Sequence, residues 1–394
     1  MNNQELIAIS DEYLMGTYAR FPLAISHGMG ATLYNFAGKA YIDFASGIGV
    51  NSLGCGNTAW VEAIREQAEK LGHVSNLYHT QPAAKLAKTL CERTGFSKVF
   101  FSNSGAESNE GLIKLARKYS RDKYGQGRST IVTLVNSFHG RTLATLAATG
   151  QNVFHDHFFP FPPGFRHALA GDMESVKQAA GGDTAAVLIE LVQGEGGVNP
   201  LDKDFVRQME EFCRARDILL LIDEVQTGVG RCGSLFAFQQ YGISPDAISF
   251  AKGIAGGLPL GGFLTTARCG GILGPGTHAT TYGGNPIGAA AAQVVLDTLT
   301  EQVLEEVAEK GRYMQARIAA IQSPHVADIR GLGLMIGISL EGIAHRVIAE
   351  RLNDAGLLAL TAGRDTLRFL PPLTITYEEI DQGLAILQSV LGGK

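Results

Sequence analysis

The fold is decided by one stretch, Ile218-Leu219-Leu220-Leu221-Ile222-Asp223, in which five apolar residues lead directly to a carboxylate. A strand without an alternating polar face is typical of a parallel sheet that helices cover on both sides. Ligands of such sheets bind beyond the carboxyl ends of the strands. The stretch therefore predicts an α/β fold and places Asp223 at the edge of the sheet where a ligand site is expected.

A second stretch, Ala247-Ile248-Ser249-Phe250, has the same character and leads to Lys252 in a glycine-rich segment. A lysine near an apolar core loses affinity for protons, which favours a covalent bond with a carbonyl group. Alone, Asp223 is equally consistent with a helix cap and Lys252 with a surface charge. Together they suggest pyridoxal 5'-phosphate (PLP), which binds a lysine covalently and needs a carboxylate beside its ring nitrogen.

Strand-like and helix-like stretches alternate from about residue 50 to about residue 265, which predicts right-handed crossovers and a mostly parallel sheet. We expect an N-terminal segment of the small domain at 1–50, a large PLP-binding domain at 51–275, and an interdomain helix with the C-terminal small domain at 276–394. Strands are predicted at 31–36, 40–44, 98–101, 130–134, 185–192, 218–222, 247–250, 326–330, 334–340, 357–361 and 366–370. Helices are predicted at 11–15, 59–71, 82–94, 204–216, 286–299, 301–322 and 344–355, with one more ending at Tyr119 and a closing helix capped by Thr376 and Glu379.

Two loops that follow predicted strands carry candidate binding groups. Small and hydroxyl residues in Ser102-Asn103-Ser104-Gly105-Ala106 open a helix, whose free N–H groups and dipole attract a phosphate, although an ordinary N-cap has the same composition. In Phe138-His139-Gly140-Arg141-Thr142, a flat aromatic ring is suited to stack on a planar cofactor and an arginine to grip a carboxylate. The alternative for the second loop is a core phenylalanine and a surface arginine.

Two motifs make the comparison with known families specific. Leu221-Ile222-Asp223-Glu224-Val225-Gln226-Thr227-Gly228 and Phe250-Ala251-Lys252-Gly253-Ile254 resemble the signature of the class III PLP-dependent aminotransferases, and within them the acetylornithine aminotransferases. The resemblance implies the fold-type I architecture, in which a large α/β domain joins a smaller α+β domain built from both chain ends, and a homodimer. One stretch departs from the family: Gly54-Cys55-Gly56-Asn57-Thr58 stands where many relatives have Gly-His, so no site residue is assigned there.

The resemblance also implies a reaction, the transfer of the terminal amine of N2-acetyl-L-ornithine to 2-oxoglutarate. The products are N-acetyl-L-glutamate 5-semialdehyde and L-glutamate, in arginine biosynthesis. Lys252 is then the covalent attachment point and proton carrier, and Asp223 the partner of the ring nitrogen. The other cofactor contacts implied are the phosphate ligands Ser104, Gly105 and Ala106, the stacking Phe138, Gln226 on the phenolic oxygen, and Thr281, which crosses the subunit boundary to the phosphate. The implied substrate contacts are Arg141 for the distal carboxylate, Arg368 for the α-carboxylate of glutamate, and Glu195, which pairs with Arg368 while the donor is bound.

Several rival functions share parts of this pattern. Ornithine, succinylornithine and 4-aminobutyrate aminotransferases use the same chemistry, and the aminomutases and a cofactor-binding regulator without turnover are rivals of other classes. Arg141 and Arg368 favour transfer to a dicarboxylic acceptor, whereas Lys252 and Asp223 argue against an inactive regulator. A dinucleotide fingerprint at Gly331-Leu332-Gly333 is rejected because its third glycine is misplaced.

The composition of the chain narrows the choice of domain number, binding partners and cellular location. The chain has 394 residues, 45% of them apolar, which suits two domains. A net charge of −5 and a pI near 6.1 give no basic footprint for nucleic acid or membranes, so small-molecule substrates are expected. Five scattered cysteines without a C-x-x-C motif indicate neither a disulfide framework nor a metal site, and no leader or membrane-spanning run is evident, so we expect a cytoplasmic protein.

Overall fold

The computed structural model describes residues 2–392 and contains seventeen strands and thirteen α-helices in that range. The strands are β1 (Ile25–Met29), β2 (Thr32–Asn35), β3 (Ala40–Asp43), β4 (Lys98–Ser102), β5 (Thr130–Leu134), β6 (Phe165–Ala168), β7 (Thr184–Glu190), β8 (Val192–Gln193), β9 (Asn199–Pro200), β10 (Leu219–Asp223), β11 (Ala247–Phe250), β12 (Gly261–Thr265), β13 (Val326–Leu332), β14 (Met335–Leu340), β15 (Leu357–Leu358), β16 (Leu360–Ala362) and β17 (Thr366–Phe369). The helices are α1 (Asn3–Tyr13), α2 (Ser46–Gly49), α3 (Thr58–Lys70), α4 (Gln81–Thr94), α5 (Gly105–Tyr124), α6 (Leu143–Ala148), α7 (Met173–Ala179), α8 (Lys203–Ala215), α9 (Phe238–Tyr241), α10 (Pro286–Thr298), α11 (Glu301–Ala319), α12 (His345–Ala355) and α13 (Tyr377–Leu391).

A seven-stranded sheet forms the centre of the large domain, with the strand order β4-β12-β11-β10-β7-β5-β6. All its strands run parallel except β12, which is antiparallel to both of its neighbours, so the predicted mostly parallel sheet is confirmed. In register, Asp223 of β10 lies opposite Glu190 of β7 on one side and Ser249 of β11 on the other. The carboxyl ends of three strands therefore place polar side chains at one edge of the sheet.

Strand β10 is buried on both faces, as its sequence predicts. Leu220 and Ile222 pack into one hydrophobic cluster, and Leu219 and Leu221 into another on the opposite face. Successive side chains of a strand point to opposite faces, so both faces of the sheet must be covered. Each buried leucine contributes roughly 1.5–3 kcal/mol, which makes this strand a rigid support for Asp223.

Both chain ends build the smaller α+β unit. Strand β15 pairs in parallel with β3, and Leu357 lies opposite Ile42, so an N-terminal meander and a C-terminal strand share one sheet. The second small sheet, β13-β14-β17-β16, is antiparallel throughout and carries Arg368 on β17. Helix α13 closes the unit, with Gly383 so close to Phe44 that a Cβ there would lie 2.3 Å from the ring.

Some elements differ from the sequence-based expectation. The first helix lies earlier than predicted, because Asn2 and Glu5 cap it reciprocally. Strands β1 and β6 and helix α7 were not predicted from the sequence. Strand β12 lies in a segment that the sequence indicated only as glycine-rich; Gly262 is required there, since a Cβ would lie 2.3 Å from the carbonyl oxygen of Phe100.

Candidate active site

A cavity of about 460 Å³ opens at the carboxyl ends of β7, β10 and β11. Eight of the eleven predicted site residues line it: Ser104, Gly105, Ala106, Phe138, Arg141, Asp223, Gln226 and Lys252. The other three, Glu195, Thr281 and Arg368, do not line this cavity. Residues separated by more than a hundred positions in the chain are thus brought together by the sheet.

Asp223 is held rigidly at the floor of the cavity. Its Oδ2 atom accepts hydrogen bonds from Nδ2 of Asn109 at 2.7 Å and from Nδ1 of His139 at 2.8 Å. Its Oδ1 atom accepts from the backbone N–H of Val225 at 3.0 Å. Ser249 in turn donates to Oδ1 of Asn109 at 2.7 Å, which fixes the asparagine. These donors stabilise an ionised carboxylate in a position that is almost fully buried.

Sequence reasoning missed these supporting residues. In the sequence, His139 lies within a candidate motif and Ser249 within a predicted strand, and nothing singles out Asn109. The register of the parallel strands was the available signal for Ser249, because a residue beside Asp223 in β11 must meet its carboxylate. Nothing local in the sequence indicates the contacts of Asn109 and His139, which come from α5 and from the loop after β5.

Lys252 enters the cavity from a 3₁₀ turn directly after β11. Its backbone has a φ of 45°, in the left-handed region that a lysine rarely adopts, so the surrounding structure imposes this conformation. Burial lowers the pKa of the Lys252 ammonium, which the nearby Arg368 also lowers, while Glu195 and Asp223 oppose the change. Within residues 2–392, Nζ of Lys252 has neither a hydrogen-bond nor an ion-pair partner. An amine with a lowered pKa and no partner among the described residues therefore faces the cavity, which suits a nucleophile.

The start of α5 forms the opposite end of the cavity. Ser104 caps this twenty-residue helix by accepting the N–H of Glu107 at 3.2 Å. The N–H groups of Gly105 and Ala106 have no acceptor in the described part of the chain. Gly105 is needed for packing, since a Cβ would lie 2.7 Å from Cγ1 of Val225. Free amides at a helix start attract an anion, so this end suits a phosphate.

Three chemical features of the cavity fit PLP. A reactive amine, a buried carboxylate and an anion-binding helix start match the aldehyde, the ring nitrogen and the phosphate of that cofactor. Phe138, half-buried, lines the cavity between them. No group of three or more candidate metal ligands occurs among residues 2–392.

Arg141 lies at the mouth of the cavity between two aromatic rings. The central carbon of its guanidinium is 5.3 Å from the ring centroid of Phe138 and 4.0 Å from that of Phe154. The side chain is exposed, and none of the described residues offers it a carboxylate within 4 Å. A guanidinium held by stacking rather than by an ion pair is available for a substrate carboxylate.

Glu190 was not predicted as a site residue, yet it lines the cavity beside Asp223. Its carboxyl group accepts the N–H of Phe138 at 2.9 Å and that of Gly194 at 3.3 Å. Burial raises the pKa of Glu190 well above its usual range, and the negative charge of Asp223 raises it further. Glu190 therefore ties two loops of the site together beside Asp223.

Glu195 and Arg368 form a pair directly behind Gln226. Nη1 of Arg368 donates to Oε1 of Glu195 at 2.6 Å and to Oε1 of Gln226 at 3.0 Å. Burial raises the pKa of Glu195, but the Arg368 guanidinium outweighs it and holds this pKa below the ordinary value. Gln226 fits closely because Gly194 has no side chain; a Cβ there would lie 2.5 Å from Oε1 of Gln226. The predicted pairing of Glu195 and Arg368 is thus present, one residue away from the cavity.

Thr281 is the predicted site residue that lies apart. It is exposed and lines a separate depression that shares only Asn103 with the main cavity. The amide of Asn103 donates to Oγ1 of the neighbouring Thr280 at 3.0 Å. Within one chain, Thr281 therefore has no access to the phosphate end of the cavity.

Comparisons with known proteins agree with this geometry. The family model for class III aminotransferases matches residues 14–391. The chain is 49% identical to the acetylornithine aminotransferase of Haemophilus ducreyi, over 99% of each chain, and 43% identical to the succinylornithine transaminase of Citrobacter koseri, over 95% of this chain and 94% of that one. Its fold is similar to that of the ornithine aminotransferase of Toxoplasma gondii, solved with PLP at partial occupancy, with a TM-score of 0.94 and 28% identity over 98% of this chain and 94% of that one.

Proposed function

The chain belongs to the class III aminotransferases, and from this premise we propose that it transfers the terminal amine of N2-acetyl-L-ornithine to 2-oxoglutarate. The products are N-acetyl-L-glutamate 5-semialdehyde and L-glutamate, a step of arginine biosynthesis. The cofactor is PLP. The observation that carries the substrate assignment is the 49% identity to an acetylornithine aminotransferase over 99% of each chain.

When bound, PLP supplies an electron sink for the negative charge that develops on the substrate carbon. We assign its covalent attachment to Nζ of Lys252, whose lowered pKa keeps the amine nucleophilic. When it is not bonded to the cofactor, the same Nζ would take a proton from the substrate carbon that bears the reacting amine and hold it. Asp223 would hold the proton of the ring nitrogen, and its three donors keep its carboxylate correctly aimed.

The phosphate is assigned to Ser104, Gly105 and Ala106, where two backbone N–H groups are free. Phe138 covers the ring plane, and Gln226 contacts the phenolic oxygen through its amide nitrogen, since its Oε1 already accepts from Arg368. Glu190 keeps the loops of Phe138 and Gly194 closed over this end of the site. These contacts fix the cofactor while Lys252 moves.

Two unlike substrates share one pocket because their α-carboxylates bind different arginines. Acetylornithine reacts at an amine remote from its α-carboxylate, and Arg141 at the mouth of the cavity binds that group. Glutamate reacts beside its α-carboxylate, which binds Arg368, while Arg141 takes the distal carboxylate. Glu195 neutralises Arg368 during the donor half-reaction, as the 2.6 Å pair allows.

Succinylornithine is the second candidate donor, because a succinylornithine transaminase is 43% identical over most of the chain. A further cavity of about 1120 Å³ reaches from Glu195 to Phe154, next to Arg141, and offers room for a longer acyl group. The test is the ratio of kcat/KM for acetylornithine, succinylornithine, ornithine and 4-aminobutyrate with 2-oxoglutarate. Acetylornithine is expected to give the highest value, and a higher one for any other donor would overturn the assignment.

The active unit is proposed to be a cytoplasmic homodimer, with domain boundaries at 1–50, 51–275 and 276–394. Thr281 is exposed in the single chain, and beside it Tyr282 is 62% exposed. Leu77 and Tyr78, two further large apolar residues, are 86% and 68% exposed. A second subunit would cover this surface and bring Thr281 to its phosphate site. Light scattering that gave the mass of one 41.9 kDa chain for the active enzyme would contradict the dimer.

A further inference from the structure

A concave surface on the outer half of α5 carries an unusual concentration of positive charge. Five cationic side chains line a cavity of about 450 Å³, here called the basic cavity: Lys114, Arg117, Lys118, Arg121 and Arg128. No acidic residue lines it, although the chain as a whole has a net charge of −5. At 1.5 Å per residue, Arg121 lies about 24 Å along the helix from Gly105, so the basic cavity is separate from the active site.

These charges are poorly compensated by the protein itself. Among residues 2–392 only Lys118 has a carboxylate within 4 Å, that of Asp122 at 2.5 Å, and Glu110 is the one further acid whose charge acts on Arg117. Arg117 and Arg128 donate to backbone carbonyls, which fix the guanidinium groups in place without neutralising them. Arg121 has no hydrogen-bond acceptor at all in the described part of the chain. Like charges gathered in one concavity repel each other, and a bound anion removes that repulsion.

The loop between α5 and β5 adds neutral donors to the same cavity. Gly125 and Gly127 line it with φ values of 80° and 98°, a conformation that favours glycine. Within residues 2–392, the four successive N–H groups at 126–129 find no backbone or side-chain acceptor. Successive free amides in such a turn form a concave binding surface for anions. Cationic side chains and a loop with free amides thus line one volume.

We propose that the basic cavity binds a small multivalent phosphate anion, either inorganic di- or triphosphate or the phosphate chain of a nucleotide. The volume lies within the range of small-molecule sites, roughly 300–1,000 Å³. Within residues 2–392 the guanidinium fork of Arg121 is unoccupied and suits two phosphate oxygens at once, while Arg117 and Arg128 use Nε and Nη2 for backbone carbonyls and offer Nη1. None of the described residues that line the cavity is aromatic, so the phosphate chain is recognised and a nucleotide base is not.

The test is calorimetric titration of the PLP-saturated enzyme with inorganic triphosphate at low ionic strength, since bound PLP fills the phosphate site of the catalytic cavity. One saturable site is expected in the wild type. Arg121→Glu should weaken binding about tenfold or more, because it removes a charged donor and adds a repelling carboxylate. Arg207→Glu is the matched control: it makes the same charge change on the exposed face of α8, where Arg207 pairs with Asp204 alone among the described residues, and binding should be unchanged.

Transaminase turnover should be normal in both variants, which also shows that they fold. If Arg121→Glu does not fold, Lys118→Gln replaces it, with a smaller loss of affinity expected. ATP should bind as tightly as triphosphate, and citrate much more weakly. No saturable binding in the wild type, an equal loss in Arg207→Glu, a citrate affinity that matches triphosphate, or a strong preference for ATP would each overturn the proposal.

Discussion

Replacing Arg368 by alanine is expected to slow the glutamate half-reaction severely and the acetylornithine half-reaction only slightly. The side chain is buried, with a relative exposure of 2%, and its Nη1 atom is the donor that faces Glu195 and Gln226. With glutamate bound, the same guanidinium has to receive the α-carboxylate. With acetylornithine bound, it remains paired with Glu195 and contacts no substrate.

The size of the expected loss of activity follows from the burial of Arg368. A charged hydrogen bond contributes about 1.5–3 kcal/mol, and a desolvated contact that uses two of them contributes about 3–6 kcal/mol. For glutamate, kcat/KM should therefore fall by roughly two to four orders of magnitude. In the donor half-reaction the variant leaves Glu195 and Oε1 of Gln226 without their donor. Because the Glu195 side chain is 26% exposed, solvent limits the cost to about 1 kcal/mol, or less than about tenfold.

Single-turnover absorbance spectroscopy measures the two half-reactions separately. Arg351→Ala serves as the control, because Arg351 is exposed on α12 in the same domain and its loss should leave both rates unchanged. Equal losses in the two half-reactions of Arg368→Ala would show that Arg368 does not discriminate between the substrates. Unchanged rates in both would make the Arg368–Glu195 pair merely structural.

Three further predictions concern the floor of the site. Lys252→Ala should abolish the borohydride-reducible link between protein and PLP; an intact mass that still shows the adduct would place the link on another lysine. Asp223→Asn should retain PLP, because the phosphate contacts survive, but lose about a hundredfold or more in the acetylornithine half-reaction; a near-normal rate would contradict its role. Burial raises the pKa of Glu224 to about 7 from an ordinary 4.5. The contribution of Glu224 to the free energy of unfolding is therefore complete below about pH 4.5 and is lost as the pH rises to about 7. Across this pH range, the free energy of unfolding measured with denaturant should change by roughly 3 kcal/mol less in Glu224→Gln than in the wild type. Identical pH profiles of the two proteins would refute the pKa shift.

The sequence predicted the elements whose signals are local. The apolar runs of β10 and β11 and the cap formed by Asn285 and Pro286 at α10 appear in the structure where they were expected. Strand β6 was not found, because two of its four residues, Arg166 and His167, are exposed and polar, as at many sheet edges. Strand β12 was not predicted because its glycines have low strand propensity, although they allow the close backbone contact that this position needs.

The residues of the candidate site also fall into two groups, those that a local sequence signal indicates and those that only tertiary packing places. Asp223 and Lys252 end apolar strands, so their approach to one cavity follows from the parallel order of the sheet. Glu190 ends such a strand too, but its role depends on two loop N–H groups that no local pattern reveals. Arg368 could be placed only by resemblance, because its contact with Glu195 joins two domains across 173 positions of the chain. Contacts of that kind depend on tertiary packing, which sequence periodicity does not encode.

The most direct test of the proposed function follows one nitrogen atom. The wild-type enzyme with PLP is incubated with 2-oxoglutarate and N2-acetyl-L-ornithine that carries ¹⁵N at its terminal amine, and the products are analysed by mass spectrometry. The account predicts ¹⁵N-labelled L-glutamate and unlabelled N-acetyl-L-glutamate 5-semialdehyde in equal amounts, whereas a donor labelled at its acetylated nitrogen gives unlabelled glutamate. Glutamate without label from the first donor, or label retained on the carbon skeleton of the donor, would contradict it.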